Sequence, residues 1–185
     1  MAVDIDLIRA YVNGAVYCTD AGVTATAPTD ASTPLHVNFK ELGAIGEDGI
    51  TEATSQDVTD VFIWQGAALA RRIRGQYTKT WQFAAAETNL QVAGLFWSGS
   101  TITQTAEGLS IAEKPPVTDV RQFVLHGIDG NRAQRIYVPR GEVTEREDST
   151  WSSGEITLYG MTLNAYPDEF GNVAYRWILD DDLAL

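Results

Sequence analysis

With 185 residues and a formal net charge of −12, the chain has room for one domain with a substantial core, and its charge has the wrong sign for gripping nucleic acid through phosphates. Three of its thirteen basic residues are lysine (Lys40, Lys79, Lys114), and an apolar content of 44% excludes a wholly disordered chain. The single cysteine, Cys18, excludes an intramolecular disulfide framework.

The opening segment, MAVDIDLIRAYVNGAVYCTD, carries acids at Asp4 and Asp6 and lacks a basic start followed by an apolar run. It does not read as a signal peptide, and no apolar stretch approaches the roughly 20 residues that span a bilayer. The expectation is synthesis and folding in a cytosol-like compartment. Residues 1–13 read as an arm, and GAVYCT (14–19) as the first strong strand. Residues 20–34, rich in Ala, Thr, Pro and Asp, have no apolar period and read as a long loop or arm reaching about residue 38.

Strands dominate from Val37. VNFKELGAIG and GITEAT flank Glu47-Asp48-Gly49, whose Asp-Gly pair predicts a tight hairpin turn. VTDVFIW and ALARRIR flank Gln65-Gly66 in the same way. In QYTKTWQFAAA, Tyr77, Lys79, Trp81, Phe83 and Ala85 share one face, and Thr78, Thr80 and Gln82 the other. ETNLQVAGLFWSG predicts one short, largely buried helix, with Thr88 or Asn89 as N-cap and Ser98-Gly99 as stop. Beyond Pro115-Pro116, VRQFVLHGID and NRAQRIYVP predict a hairpin turning at Asp129-Gly130. EITLYGMTLNAYP and VAYRWIL are expected to pair across 168–172. Many short strands and one helix predict a mainly β fold: an antiparallel β-sandwich or barrel with one flanking α-helix and extended arms.

Catalytic readings are weak. His36 and His126 lack ligand spacing, and no zinc, phosphate-loop or nucleophile-elbow motif occurs. Acid-rich spots at 47–48, 145–148 and 180–182 fall at turns or the chain end, where carboxylates are normally solvated. They make a poor glycosidase pair. Arg71, Arg72 and Arg74 form the main basic cluster. On a strand, Arg72 and Arg74 share a face and Arg71 takes the other, which suits ordinary solvated arginines or salt bridges to a neighbouring acidic surface. Trp81 and Trp177 alternate within strands and are expected in the core. Trp64 and Trp151 lie at turns, as interface indoles or as platforms of a sugar-binding module.

The ordered set ELG, GEDGITEAT, Asp57, VFIWQG and the following basic residues, then YTKTWQFAAAETN with an apolar helix directly after, resembles the major tail protein, or tail tube protein, of long-tailed bacteriophages. The resemblance covers residues 39–96 and extends loosely to the C-terminal strands. It implies a two-sheet sandwich with one helix, six copies closing into a ring, and rings stacking into a tube. The N-terminal arm, a long hairpin loop and the C-terminal end would join subunits and rings. The implied partners are the protein itself, the tape measure protein in the lumen, and tail terminator and distal tail proteins, with DNA passing through unbound and no membrane. The implied location is the virion tail, after synthesis in the host bacterial cytoplasm. Six copies would carry about −72 charges, and an acidic lumen denies DNA phosphate contacts.

Together these readings assign self-assembly to Glu47, Asp48, Glu52, Asp57, Trp64, Arg71, Arg72, Arg74 and Trp151. They assign no catalytic residue, no cofactor and no metal. The ring protein of a related bacterial injection system and a monomeric carbohydrate-binding β-sandwich are the alternatives.

Overall fold

The computed structural model describes residues 7–181, so the first six residues of the arm, with Asp4 and Asp6, and Asp182 of the last acid-rich spot lie outside the described residues. Strands β1 (Asn13–Cys18), β2 (Lys40–Glu41), β3 (Ile45–Phe62) and β4 (Leu69–Ala85) precede helix α1 (Leu90–Phe96). Then follow β5 (Thr101–Thr105), β6 (Gly108–Ala112), β7 (Val120–Asp129), β8 (Arg132–Arg146), β9 (Tyr159–Ala165) and β10 (Tyr175–Leu179). Every pairing is antiparallel. Eight strands make one sheet in the order β2-β1-β7-β8-β9-β4-β3, with β10 also on β8, while β5 and β6 form a hairpin of their own.

The mainly β, one-helix class is the one expected. Its two layers are halves of a single sheet, which curls until β1 approaches β3 from the far end of the strand order. Inside the curl, alternate residues meet: Trp81, Phe83 and Ala85 from β4, Val16 and Cys18 from β1, Phe123 and Leu125 from β7, Val138 from β8, Met161 and Leu163 from β9. Gln82, between two of them, is exposed, as the period of two predicts. Gly141 is fixed by this packing: a Cβ there would sit 2.8 Å from both the Phe123 ring and a Leu163 methyl. The Cys18 thiol lies in the same core, where burial pushes its pKa up to about 12 and leaves it unreactive.

The opposite face of β1, β7 and β8 is also covered. Phe39, Val124 and Tyr137 form a second cluster there, joined by Tyr17, Ala25, Leu35, Tyr175 and Trp177. Its lid is the loop before β2. Arg135 donates to the carbonyls of Asp30 and Thr33, both at 2.8 Å. Gln122 accepts from the Ala25 amide at 2.6 Å. Asp30 accepts from the Ser32 and Thr33 amides, closing a turn that buries Ala31. Residues 20–38 are therefore a loop fastened to their own sheet. Their few apolar side chains suffice because the sheet supplies the rest of the cluster.

Asn89 caps α1, accepting from the Val92 amide at 3.0 Å and donating to the Leu42 carbonyl at 2.9 Å. Arg121 donates to Gly94 O and Arg146 to Leu95 O, each at 2.9 Å, so two cations occupy the helix's C-terminal carbonyls. Asn89→Ala is expected to cost about 1 kcal/mol or somewhat more, read as a lowered midpoint in urea at unchanged slope.

Three expectations need correction. Glu47-Asp48-Gly49 does not reverse the chain: β3 takes five steps from Ile45 to Ile50 while β4 takes two from Ala85 to Phe83, so the segment is a bulge, with Gly49 supplying φ +67°. β9 and β10 do not pair with each other. Both lie along one edge of β8, β9 on Gly141–Arg146 and β10 on Ala133–Tyr137, as two pieces of one interrupted strand. The Asp168 carboxylate accepts from the Phe170 and Asn172 amides and from the Tyr175 hydroxyl, folding the interruption into a compact turn. Asp180 is buried rather than solvated, paired with Arg9 of the N-terminal arm and with Arg132.

Candidate assembly surfaces

β9 pairs with β4 only over Thr80–Ala85, because its lane on β8 is interrupted past Ala165. Beyond that point β3 and β4 have only each other, from Ser55 and Thr78 out to Phe62 and Leu69. At ~3.3 Å per residue the free part of the hairpin reaches ~25 Å. It exposes apolar side chains on both faces. Val58, Asp60, Arg72 and Arg74 share one face, and Thr59, Val61, Arg71 and Ile73 the other, so the arginines divide as their spacing predicts. Arg72 binds Asp60 through two hydrogen bonds, 2.7 and 3.0 Å. Among the described residues neither Arg71 nor Arg74 has an ion pair. Asp57 lies opposite a bulge in β4, which takes three steps from Tyr77 to Arg74 while β3 takes two from Gln56 to Val58; a Cβ at Gly75 would lie 3.1 Å from that of Asp57.

The tip carries Phe62, Ile63 and Trp64 around the turn Gln65–Ala67, with Gly66 at φ +73° and Ala67 at φ +49°. Trp64 is 96% exposed. A two-stranded ribbon with wet faces is marginal by itself, and an indole left in water at its end is unexplained in an isolated subunit.

Glu52 fastens the base of the hairpin. Arg176 of β10 donates to its carboxylate at 2.6 Å, and Lys79 of β4 pairs with it from the other side. Burial pushes the Glu52 pKa up, but the bonds from Arg176 and Lys79 outweigh it and hold the carboxyl below its usual 4.5. Its contribution to stability is therefore complete above that value and lost as pH falls through the lowered one. Glu52→Gln is expected to show a shallower loss of melting temperature with acid than the parent, in melts between about pH 3 and pH 6.

The other end of the same two strands is a different surface. β4 ends at Ala85, opposite Ile45 and Tyr159, and a Cβ at Gly46 would touch Leu158 at 3.5 Å. The bulge acids Glu47 and Asp48 and the irregular loop 147–158 thus gather here, with Trp151 85% exposed and Ile156 also in water. Trp64 and Trp151 are separated by the length of β4, 17 residues or roughly 55 Å. They line no common groove. A cleft of about 610 Å³ does open between β1 and β3 where the curled sheet fails to close, lined by Asn13, Glu47, Asp48, Trp81 and His126 among others. His126 is pushed toward its neutral form by burial and by Arg135 across the strand pair. Trp81 is in the core as expected; Trp177 is half-buried, stacked on Tyr175. Sequence reasoning missed Val58, Val61, Ile73, Ile156 and Phe170 as exposed apolar residues. The alternation of Val58, Val61 and Ile73 looks like that of a core strand, and only the missing third strand distinguishes them, while Ile156 and Phe170 lie in irregular segments with no period to read.

A sheet with one open edge along β3, a ribbon thrust beyond it and exposed indoles at both ends defines a subunit of an assembly. The chain belongs to the phage tail tube protein family, whose model matches residues 1–184. That is a family of structural proteins and not of enzymes, and the chain is a structural subunit of a virion tail tube. Its structure is similar to a chain in the virion of a native gene transfer agent particle, at 12% identity and a TM-score of 0.44, covering 78% of this chain and 92% of that one. No curated protein matches the sequence. No helix among the described residues is long and apolar enough to cross a membrane.

Proposed function

We propose that six copies close into a ring, that rings stack into the tail tube, and that the lumen holds the tape measure protein and then conducts DNA. The observation carrying this reading is the projecting hairpin, whose apolar side chains on both faces have nothing to pack on within the subunit. The outer edge of β3 supports it: a long strand with unpaired amides and carbonyls is a hazard in a monomer and disappears when sheets join around a ring. The net charge of −12 per copy gives the lumen a sign that repels phosphate, so DNA slides without adhering. Tail terminator and distal tail proteins would meet the two ends of the tube, where stacking surfaces are left over. Self-assembly falls to Glu47, Asp48, Asp57, Trp64, Arg71, Arg72, Arg74 and Trp151 at the surfaces, while Glu52 acts by holding the hairpin base. The ring of a related injection system shares this geometry; a sugar groove built on Trp64 and Trp151 does not.

Negative-stain electron microscopy of the concentrated chain in moderate salt tests the reading. Rings with a central hole, or tubes made of them, are the expected result. A protein that stays monomeric at every concentration and also binds a saccharide through its tryptophans would overturn it.

A further inference from the structure

The hairpin tip and the loop 147–158 lie at opposite ends of the same strand pair, and their chemistry is complementary. The tip offers Phe62 and Trp64, with Arg71 and Arg74 behind them unpaired. The far pole offers Trp151 and Ile156 among carboxylates. Residues 43–49, 87–90 and 147–158 contain Glu47, Asp48, Glu87, Glu147, Asp148 and Glu155 and no lysine or arginine. Neighbouring Arg146 is turned away, donating to Leu95 O and to Ser98 Oγ at 2.8 Å. Among the described residues none of Glu147, Asp148 and Glu155 has a cationic partner.

We infer that the hairpin tip of one copy docks on the 147–158 loop of a second copy, with Trp64 packing against Trp151 and Ile156, and with Arg71 and Arg74 facing Asp148 and Glu155. The inference rests on the tube reading and names the surface that receives the hairpin. Because the two patches are different and sit at opposite ends of one strand pair, the contact between copies stacked in the same orientation is head-to-tail and leaves one tip and one loop free for the next copies. It propagates along the strand direction, as stacking requires. Indoles packed together supply the affinity, while the charge pairs select this pole over the rest of an acidic surface and set the register.

Charge reversal tests it. Arg71→Glu with Arg74→Glu, and separately Asp148→Lys with Glu155→Lys, change only exposed side chains, so each variant should keep the parent's circular dichroism and melting temperature. Each alone is expected to need at least about tenfold more protein to assemble, because like charges now face each other. Mixed one to one, the two should assemble again, since every contact along an alternating stack regains opposite charges. As a second readout that keeps both indoles, a Gln65→Cys, Ser152→Cys chain should form disulfide-linked ladders on oxidation, with Cys18 buried and silent. Parent tubes that survive both reversals, or a loss that mixing does not restore with no ladder formed, would overturn the pairing and leave the tube reading standing. A parent chain that never assembles would overturn both.

Discussion

Trp81→Ala is expected to cost about 3–5 kcal/mol, enough to leave the subunit unfolded or nearly so at 37 °C. Trp81 is fully buried on β4, with Leu163 opposite it on β9 and Glu52 on β3. It fills the place where the curled sheet comes closest to closing, beside the cleft between β1 and β3. Removing the indole joins a new void to that cleft, and the surrounding backbone is held in two ladders and cannot collapse into it. The indole N–H has no hydrogen-bond partner among the described residues, so truncation also removes a desolvated donor and recovers a small part of the loss. Trp81→Phe keeps most of the volume without the donor and should lose far less. Urea denaturation of the two variants against the parent separates packing from hydrogen bonding. Equal losses for alanine and phenylalanine would mean that the packing account is wrong.

The second large effect concerns assembly alone. Replacing residues 62–70 by a two-residue Asn-Gly turn joins the ladder partners Val61 and Arg71, which preserves the antiparallel ladder below, and removes Phe62, Ile63 and Trp64 from the tip. Nothing in the body of the subunit packs on those residues, so the monomer should melt within about 0.5 kcal/mol of the parent. Assembly should be lost. Truncating a central interface aromatic costs ~2 kcal/mol or more, and the deletion takes three large side chains from every stacking contact. Sedimentation velocity reads both species directly. A deletion variant that assembles like the parent would remove the hairpin from the tube interface.

Much of the fold was legible because strand periodicity is local. Trp81-Gln82-Phe83 announced which side faces the core, Asn89 announced the helix start, and Gln65-Gly66 and Asp129-Gly130 announced two hairpins that the structure contains. Glu47-Asp48-Gly49 misled for the same local reason. Asp-Gly supplies a positive φ, which a turn and a bulge use equally, and only the partner strand decides between them. The pairing of β9 with β10 misled because sequence neighbours usually pair, whereas β8 was long enough to hold both on one edge.

The candidate surfaces divide in the same way. Composition and order by themselves determined the class: an acidic β-chain with a tryptophan at a turn, a split arginine cluster and the ordered marks of a tail tube subunit. Tertiary structure alone decided which apolar strand residues are core and which are interface. Val58 and Ile73 have the same strand alternation as Phe83 and Leu163, but β9 stops short of them, and without a third strand or a second layer there is nothing to cover them. It also placed Asp180 in a buried ion pair and Glu52 between β4 and β10, because partners 124 residues apart in sequence, as with Glu52 and Arg176, meet only after the sheet has curled. Local pattern fixes what a segment can be; long-range pairing fixes what it is left free to touch.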